Sequence, residues 1–250
     1  MQRIPETESM DIQEEAKELD KMCQKYIYIL DEAMARSVVK MGPAEGTILE
    51  IGVGPARIAS KIIHYNPKLT VIGIDLSDSM LEIASNNLPK FDVPEGKINL
   101  VKADGKVLPF RDDSFDLVMS HNMLHHIPDP VPMFKEVKRV VKPEGGILIR
   151  DLIRPPNKLI AKIYSRMFGM GYTKKMLKLY YDSMLAAFSR EEINSMLKQA
   201  GISDVTIKSH FLTHYSIEKL PYKKQTSKNT KFNRLDPFRE LSLLFYVSAG

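Results

Sequence analysis

The chain has 250 residues, 44% hydrophobic and 27% charged, with a formal net charge of +5. That length and balance describe one sizeable folded domain and exclude a disordered chain, and no apolar stretch approaches the roughly 20 residues needed to span a bilayer. The single cysteine, Cys23, excludes an intrachain disulfide and a multi-cysteine zinc site, and the acidic, polar opening MQRIPETESMDIQEEAKELD is unlike a presequence, so the cytoplasm is the expected location.

From about residue 11 to 41 apolar residues such as Leu19, Met22, Tyr26, Ile29, Leu30 and Ala33 recur at three and four, which predicts helix. Strand, helix and strand follow in GTILEIG, ARIASKIIHY and LTVIGIDLS. A helix is expected in SDSMLEIASNNLPKF, opened by the N-cap candidates Ser77 and Asp78, then strands in KINLVKAD and FDLVMSH, a helix in VPMFKEVKRVV and a strand in GGILIRDL. Such alternation implies parallel strands with helices on both faces. Residues 154–188 break the pattern with a helical run rich in methionine, tyrosine and lysine. SREEINSMLKQAG resumes it, with Ser189 and Glu192 at capping-box spacing and Gly201 as terminator. ISDVTIKS reads as a strand, 218–240 as a basic loop, and ELSLLFYVSAG as a last strand.

In open parallel sheets ligands bind beyond the carboxyl ends of the strands, where the winding reverses. The polar oddities of the first half fall at such ends: Gly52 and Gly54 after the first strand, Asp75 after the second, Asp104 after the third, and SHNMLHH after the fourth. Asp75 lies 23 residues beyond Gly52, close to the spacing at which an acid bonds ribose hydroxyls. A dinucleotide fingerprint would need glycine where Arg57 stands, so that reading fails.

The ordered set LEIGVG, IGIDLSDSML, VKADGKVLPFRDDSFDLVMSHNMLHHIPD and EVKRVVKPEGGILIRD closely resembles the class I S-adenosylmethionine-dependent methyltransferases, in particular the branch containing the quinone-biosynthesis C-methyltransferases. The resemblance is strong over about 45–152 and weak over 189–208. It implies a doubly wound, mostly parallel seven-stranded sheet in a single domain, 1–250. Its expected parts are an N-terminal helical cap (1–44), a cofactor-binding core (45–153), a helical lid insertion (154–188) and a C-terminal part of the core (189–250). It also implies S-adenosylmethionine as cofactor and S-adenosylhomocysteine as product. Glu50 would face the amino acid end of the cofactor, Gly52 and Gly54 would let it lie against the turn, and Asp75 would hold the ribose. Leu76 would pack on the adenine, Asp104 would accept from its amine with Gly105 leaving room, and Ser120 and His121 would lie under the methionine portion. Where many members carry a third glycine this chain has Ala56.

His125 and His126 are candidates for a general base. The same pair recurs in this family as part of the turn after the fourth strand, which is the reading preferred here. No metal site is expected, because no third ligand sits at sensible spacing.

Residues 138–178 hold 11 Lys/Arg against 2 Asp/Glu, and 218–240 hold 7 against 3, leaving the remainder at −8. Such segments suit a solvated surface, an anionic substrate, nucleic acid or an anionic membrane face. Tyr26, Arg154, Tyr172, Tyr180 and Tyr181 are the expected acceptor-side residues, Tyr181 also a catalytic candidate, and Arg150, Lys158 and Lys162 could meet an anion. The expected activity is methyl transfer to a small, anionic or quinone-like acceptor. An RNA methyltransferase and a non-catalytic binder of the cofactor or its demethylated product are the alternatives.

Overall fold

A computed structural model of the protein describes residues 1–6, 20, 28–210 and 212–221. Its strands are β1 (Gly46–Ile51), β2 (Leu69–Asp75), β3 (Ile98–Lys102), β4 (Phe115–His121), β5 (Val141–Leu152), β6 (Thr206–His210) and β7 (His214–Lys219). They form one seven-stranded sheet in the order β3-β2-β1-β4-β5-β7-β6, parallel throughout except that β7 runs antiparallel to both β5 and β6. The chain winds outward from β1 to β3 and then returns to place β4 on the other side of β1. The reversal therefore opens a crevice at the carboxyl ends of β1 and β4.

The described helices are α1 (Tyr28–Met41), α2 (Arg57–Tyr65), α3 (Asp78–Asn87), α4 (Val131–Val140), α5 (Lys158–Phe168), α6 (Lys174–Ala186) and α7 (Arg190–Gln199). One face of the sheet packs Ile48, Val71, Leu117, Met119 and Leu148 against Met34 and Val38 of α1 and Ile58 and Ile62 of α2. The other packs Leu49, Ile51, Val118, Ile149 and Ile217 against Phe134 and Val137 of α4 and Ile193 and Leu197 of α7. Caps set several helix starts: the Ser77 side chain accepts from the Met80 amide, and Ser189 with Glu192 forms the expected capping box. Gly201 follows α7 at φ +69°, the left-handed conformation that ends a helix most cheaply in glycine.

The seventh strand corrects the sequence reading. It is His214–Lys219, hairpinned to β6 and inserted beside β5; residues 210–217 carried no expectation from the sequence, and 218–219 fell at the head of the expected loop. Its residues alternate, Tyr215 and Ile217 entering the core on one face while the polar alternates His214, Ser216 and Glu218 are buried on the other, so a short period-2 run with only two apolar positions is an interior strand. The expected last strand, ELSLLFYVSAG, lies outside the described residues, as do Cys23 and Tyr26.

Candidate active site

The turn after β1 is tied to β2, since the amides of Gly52 and Val53 both donate to the Ile74 carbonyl at 2.9 Å. Gly52 (φ +76°) could carry no Cβ, which would meet Met123 Cγ at 2.5 Å. At Gly54 (φ +50°) a Cβ would meet nothing within 4 Å, so this residue faces open space. Ala56, standing where a glycine is common, adopts φ +59° in the left-handed region. That conformation costs an L-residue about 1–2 kcal/mol, which explains the glycine preference at this place.

Carboxylates gather around the turn. Asp75 Oδ2 accepts from the Gly54 amide at 2.9 Å and Oδ1 from the Ser77 amide at 3.0 Å, while burial pushes its pKa up. Glu50 is buried with Oε2 unpartnered, and its carboxyl is held well above the usual range by burial, then by the nearby charges of Asp31 and Asp75. Asp31 comes from α1, and burial raises it to about 7 against the pull of Arg57 and Lys61. The sequence reading missed Asp31, although a signal existed: it shares the buried face of α1 with Met34, Ala35 and Val38, an acid on an apolar stripe. Three buried or half-buried acids facing one turn fit a cationic group.

At the end of β3, Asp104 Oδ1 accepts from the Lys106 amide at 2.9 Å, and Lys106 Nζ stands 3.4 Å from Oδ2. Its carboxylate thus shapes the turn after β3. A Cβ on Gly105 would meet Ile51 Cγ2 at 2.9 Å, so the glycine there lets this turn lie on β1. Leu76 and Val107, in the turns after the neighbouring strands β2 and β3, are large exposed apolar side chains.

At the end of β4, Ser120 Oγ and His121 Nδ1 are buried without partners. Burial and the Arg150 charge drive His121 down to about 3, so it is neutral at pH 7. The next turn holds the histidine pair. His125 Nδ1 donates to Asp151 Oδ1 at 2.6 Å, and Asp151 also accepts from the amides of Leu124 (2.6 Å) and Leu152 (2.7 Å). Burial opposes both charges, yet each raises the other's stability: His125 sits above its ordinary pKa and Asp151 below its own.

His126 Nδ1 lies 2.5 Å from Glu6 Oε2, and although burial acts upward, this contact takes Glu6 down to about 2. Arg3 completes the clamp, donating to the carbonyls of Ala186 (2.6 Å), His125 (2.9 Å), Ile127 (3.0 Å) and Pro128 (3.1 Å) with its guanidinium 4.0 Å above the Phe188 ring. The fold therefore supplies what sequence spacing did not: Glu6, His125 and His126 have potential ligand atoms all within 4.8 Å of one another.

In the segment 154–188, Tyr172 and Tyr180 meet edge to face at 6.0 Å. Tyr180 is raised by burial and hydrogen-bonds the Thr213 side chain, and Tyr181 packs with it against Ala161, Met184 and Leu185. Arg154 is a correction: its guanidinium pairs with Glu192 at 2.9 Å and reaches the Ala187 carbonyl at 3.3 Å, which directs it to the start of α7 rather than into the crevice. Lys158 and Lys162 are exposed. Arg150 reaches Ser37 Oγ of α1 at 3.3 Å and pairs in register with His121. Next along the sheet stand buried His214, its Nε2 unpartnered, and half-buried His210, each lowered to about 4, by burial first and with the Arg150 charge adding to it. This polar belt escaped the sequence reading because nothing local marks a histidine two strands away as a neighbour.

The methyltransferase-domain family profile matches residues 49–149. An uncharacterised protein of Methanocaldococcus jannaschii is 32% identical over 70% of this chain and 70% of its own length. The demethylmenaquinone methyltransferase of Staphylococcus aureus is 29% identical over 70% of this chain and 75% of its length. Among solved structures, a Methanococcus maripaludis protein assigned to the S-adenosylmethionine-dependent methyltransferases superposes with a TM-score of 0.66 at 22% identity, covering 87% of this chain and 97% of that one.

Proposed function

The chain belongs to the class I S-adenosylmethionine-dependent methyltransferases, and we propose from that premise that it methylates a small acceptor carrying an anionic or quinone-like oxygen group. The donor, when bound, supplies a methyl group on a cationic sulfur that is electrophilic already. The protein's part is to hold, orient and desolvate. Glu50, Asp75, Asp104 and the Gly52–Gly54 turn would hold the donor. The fit rests on an observation at the turn: the unpartnered Oε2 of Glu50, among three acids, wants a cationic partner such as the donor's ammonium.

The acceptor reading is supported by the polar belt at the ends of β4, β5 and β7. Two buried imidazole nitrogens, on His121 and His214, have no partner, and Arg150 between their strands supplies positive charge. Such a group suits carbonyl or anionic oxygens and is too enclosed for a polynucleotide backbone. The name of the S. aureus relative points the same way. His125, buried with its Nδ1 on Asp151, holds the turn after β4 in place beside this belt. Residues 154–188, through Tyr180 and Tyr181, would cover the acceptor.

Incubation with radiolabelled methyl donor and cell extract, split by size and nuclease treatment, tests this. Label is expected in small, extractable molecules, and Tyr180→Phe should lower its yield while leaving donor affinity intact. Label confined to nuclease-sensitive large material would overturn the reading in favour of an RNA acceptor. Donor binding with no transfer to any fraction would mark a non-catalytic binder.

A proton should leave the protein as the donor binds. Burial and its acidic neighbours push the Glu50 carboxyl upward, and a cation placed beside it favours the carboxylate. Affinity should therefore rise with pH. Calorimetry in buffers of different ionisation enthalpy will read the released proton, and Glu50→Gln should remove it while weakening binding. Undiminished release in that variant would assign the proton to Asp31.

A further inference from the structure

Helix α5 is built unlike its neighbours, because only Ala161 and Ser165 are buried along its length. Leu159 is 67% exposed, Ile163 46% and Met167 45%, and just beyond the helix Met170 is 65% exposed. At a spacing of four, Leu159, Ile163 and Met167 form one row on the helix surface. Lys158, Lys162 and Arg166, all exposed, form a parallel row immediately beside it. Exposed Lys174 and Lys175 open α6, and no acidic residue occurs from 152 to 181. Single exposed apolar residues are ordinary on a protein surface, but an aligned row bordered by a row of bases is not.

We propose that α5 and the start of α6 form a docking surface for an anionic phospholipid bilayer, with the Leu159–Ile163–Met167 row entering the headgroup boundary and the basic row contacting lipid phosphates. No helix among the described residues is long and apolar enough to cross a membrane, so the contact is peripheral. Charge complementarity selects the lipid. A second copy meeting this face symmetrically would bring two basic rows together, and a nucleic acid backbone would leave the apolar row in water. The buried side of α5 packs on the cluster that includes Tyr164, Tyr180 and Tyr181, so docking would set the segment 154–188 against the bilayer. The surface stands whatever the acceptor proves to be.

Co-sedimentation of the full chain with vesicles tests it, using phosphatidylcholine alone and phosphatidylcholine mixed with phosphatidylglycerol. Binding is expected only to the anionic vesicles and should weaken with salt. Each base at the surface is worth about fivefold in partitioning, so combining Lys158→Glu, Lys162→Glu and Arg166→Glu should cost at least about a hundredfold. Combining Leu159→Ser with Ile163→Ser should abolish insertion. These positions are exposed, and circular dichroism with donor calorimetry verifies that each variant is folded. Failure of the wild type to bind, or binding untouched in the serine variant, overturns the proposal. So does a doubled mass of the wild type in solution that the serine variant loses, which would make the row an interface between copies.

Discussion

Asp75→Ala is expected to weaken S-adenosylmethionine binding about 100-fold. Hydrogen bonds to a charged group contribute roughly 1.5–3 kcal/mol each, and losing two to the ribose hydroxyls removes about 3 kcal/mol or more, which is that factor in affinity. The structure adds a second reason for a large effect. Asp75 already accepts from the amides of Gly54 and Ser77, so the same carboxylate pins the glycine turn on which the donor is to lie. Asp75→Asn keeps one acceptor oxygen and should fall between wild type and alanine. Isothermal calorimetry checks the affinities, and thermal melting of the free protein separates lost ligand contacts from a loosened turn. Unchanged affinity in the alanine variant would remove Asp75, and with it the site as drawn, from donor binding.

Asp151→Ala is expected to cost about 3–5 kcal/mol of folding stability. It leaves His125 buried without its counter-charge and orphans the amides of Leu124 and Leu152. For a chain of this size that lowers the melting temperature by about 6–20 °C. The pH dependence has a definite sign. Asp151 lies below its ordinary value of 3.8 when folded, so its contribution is present above that pH and is lost as pH falls through the lowered value. His125 lies above its ordinary 6.5, so its contribution is complete below 6.5 and is lost as pH rises through the raised value. The pair therefore stabilises most between about pH 4 and 6.5, and the variant should lose that maximum. Melting curves across pH are the check, and a variant that melts like the wild type would show that the pair adds nothing to the fold.

The alternating elements, the caps at Ser77 and Ser189, and the strand-end residues Gly52, Gly54, Asp75 and Asp104 were legible in the sequence. Each depends on chemistry within a few residues: a period of 2 or 3.6, a hydroxyl reaching an amide three positions on, a glycine that alone takes positive φ without strain. Local order also implied that the strand ends share one edge, because right-handed crossovers in a parallel sheet leave little choice. Ala56 shows the limit of substitution at such a place, since the fold holds it at φ +59° regardless.

What only the tertiary structure decided is who meets whom across long separations. Asp31 becomes a neighbour of Glu50 through the packing of α1 on the sheet, and Glu6 reaches His126 because the first residues are clamped beneath the turn after β4 by Arg3. Arg154 had the charge expected of an acceptor ligand, yet Glu192 stands 2.9 Å away at the head of α7 and takes it. Strand β7 carries a short alternation, His214-Tyr215-Ser216-Ile217-Glu218, but only the sheet order places it between β5 and β6 with its polar side buried as well. Local propensity depends on bonds along the chain, whereas these pairings depend on which loops the sheet order brings to one edge and on burial that makes an unmatched charge costly.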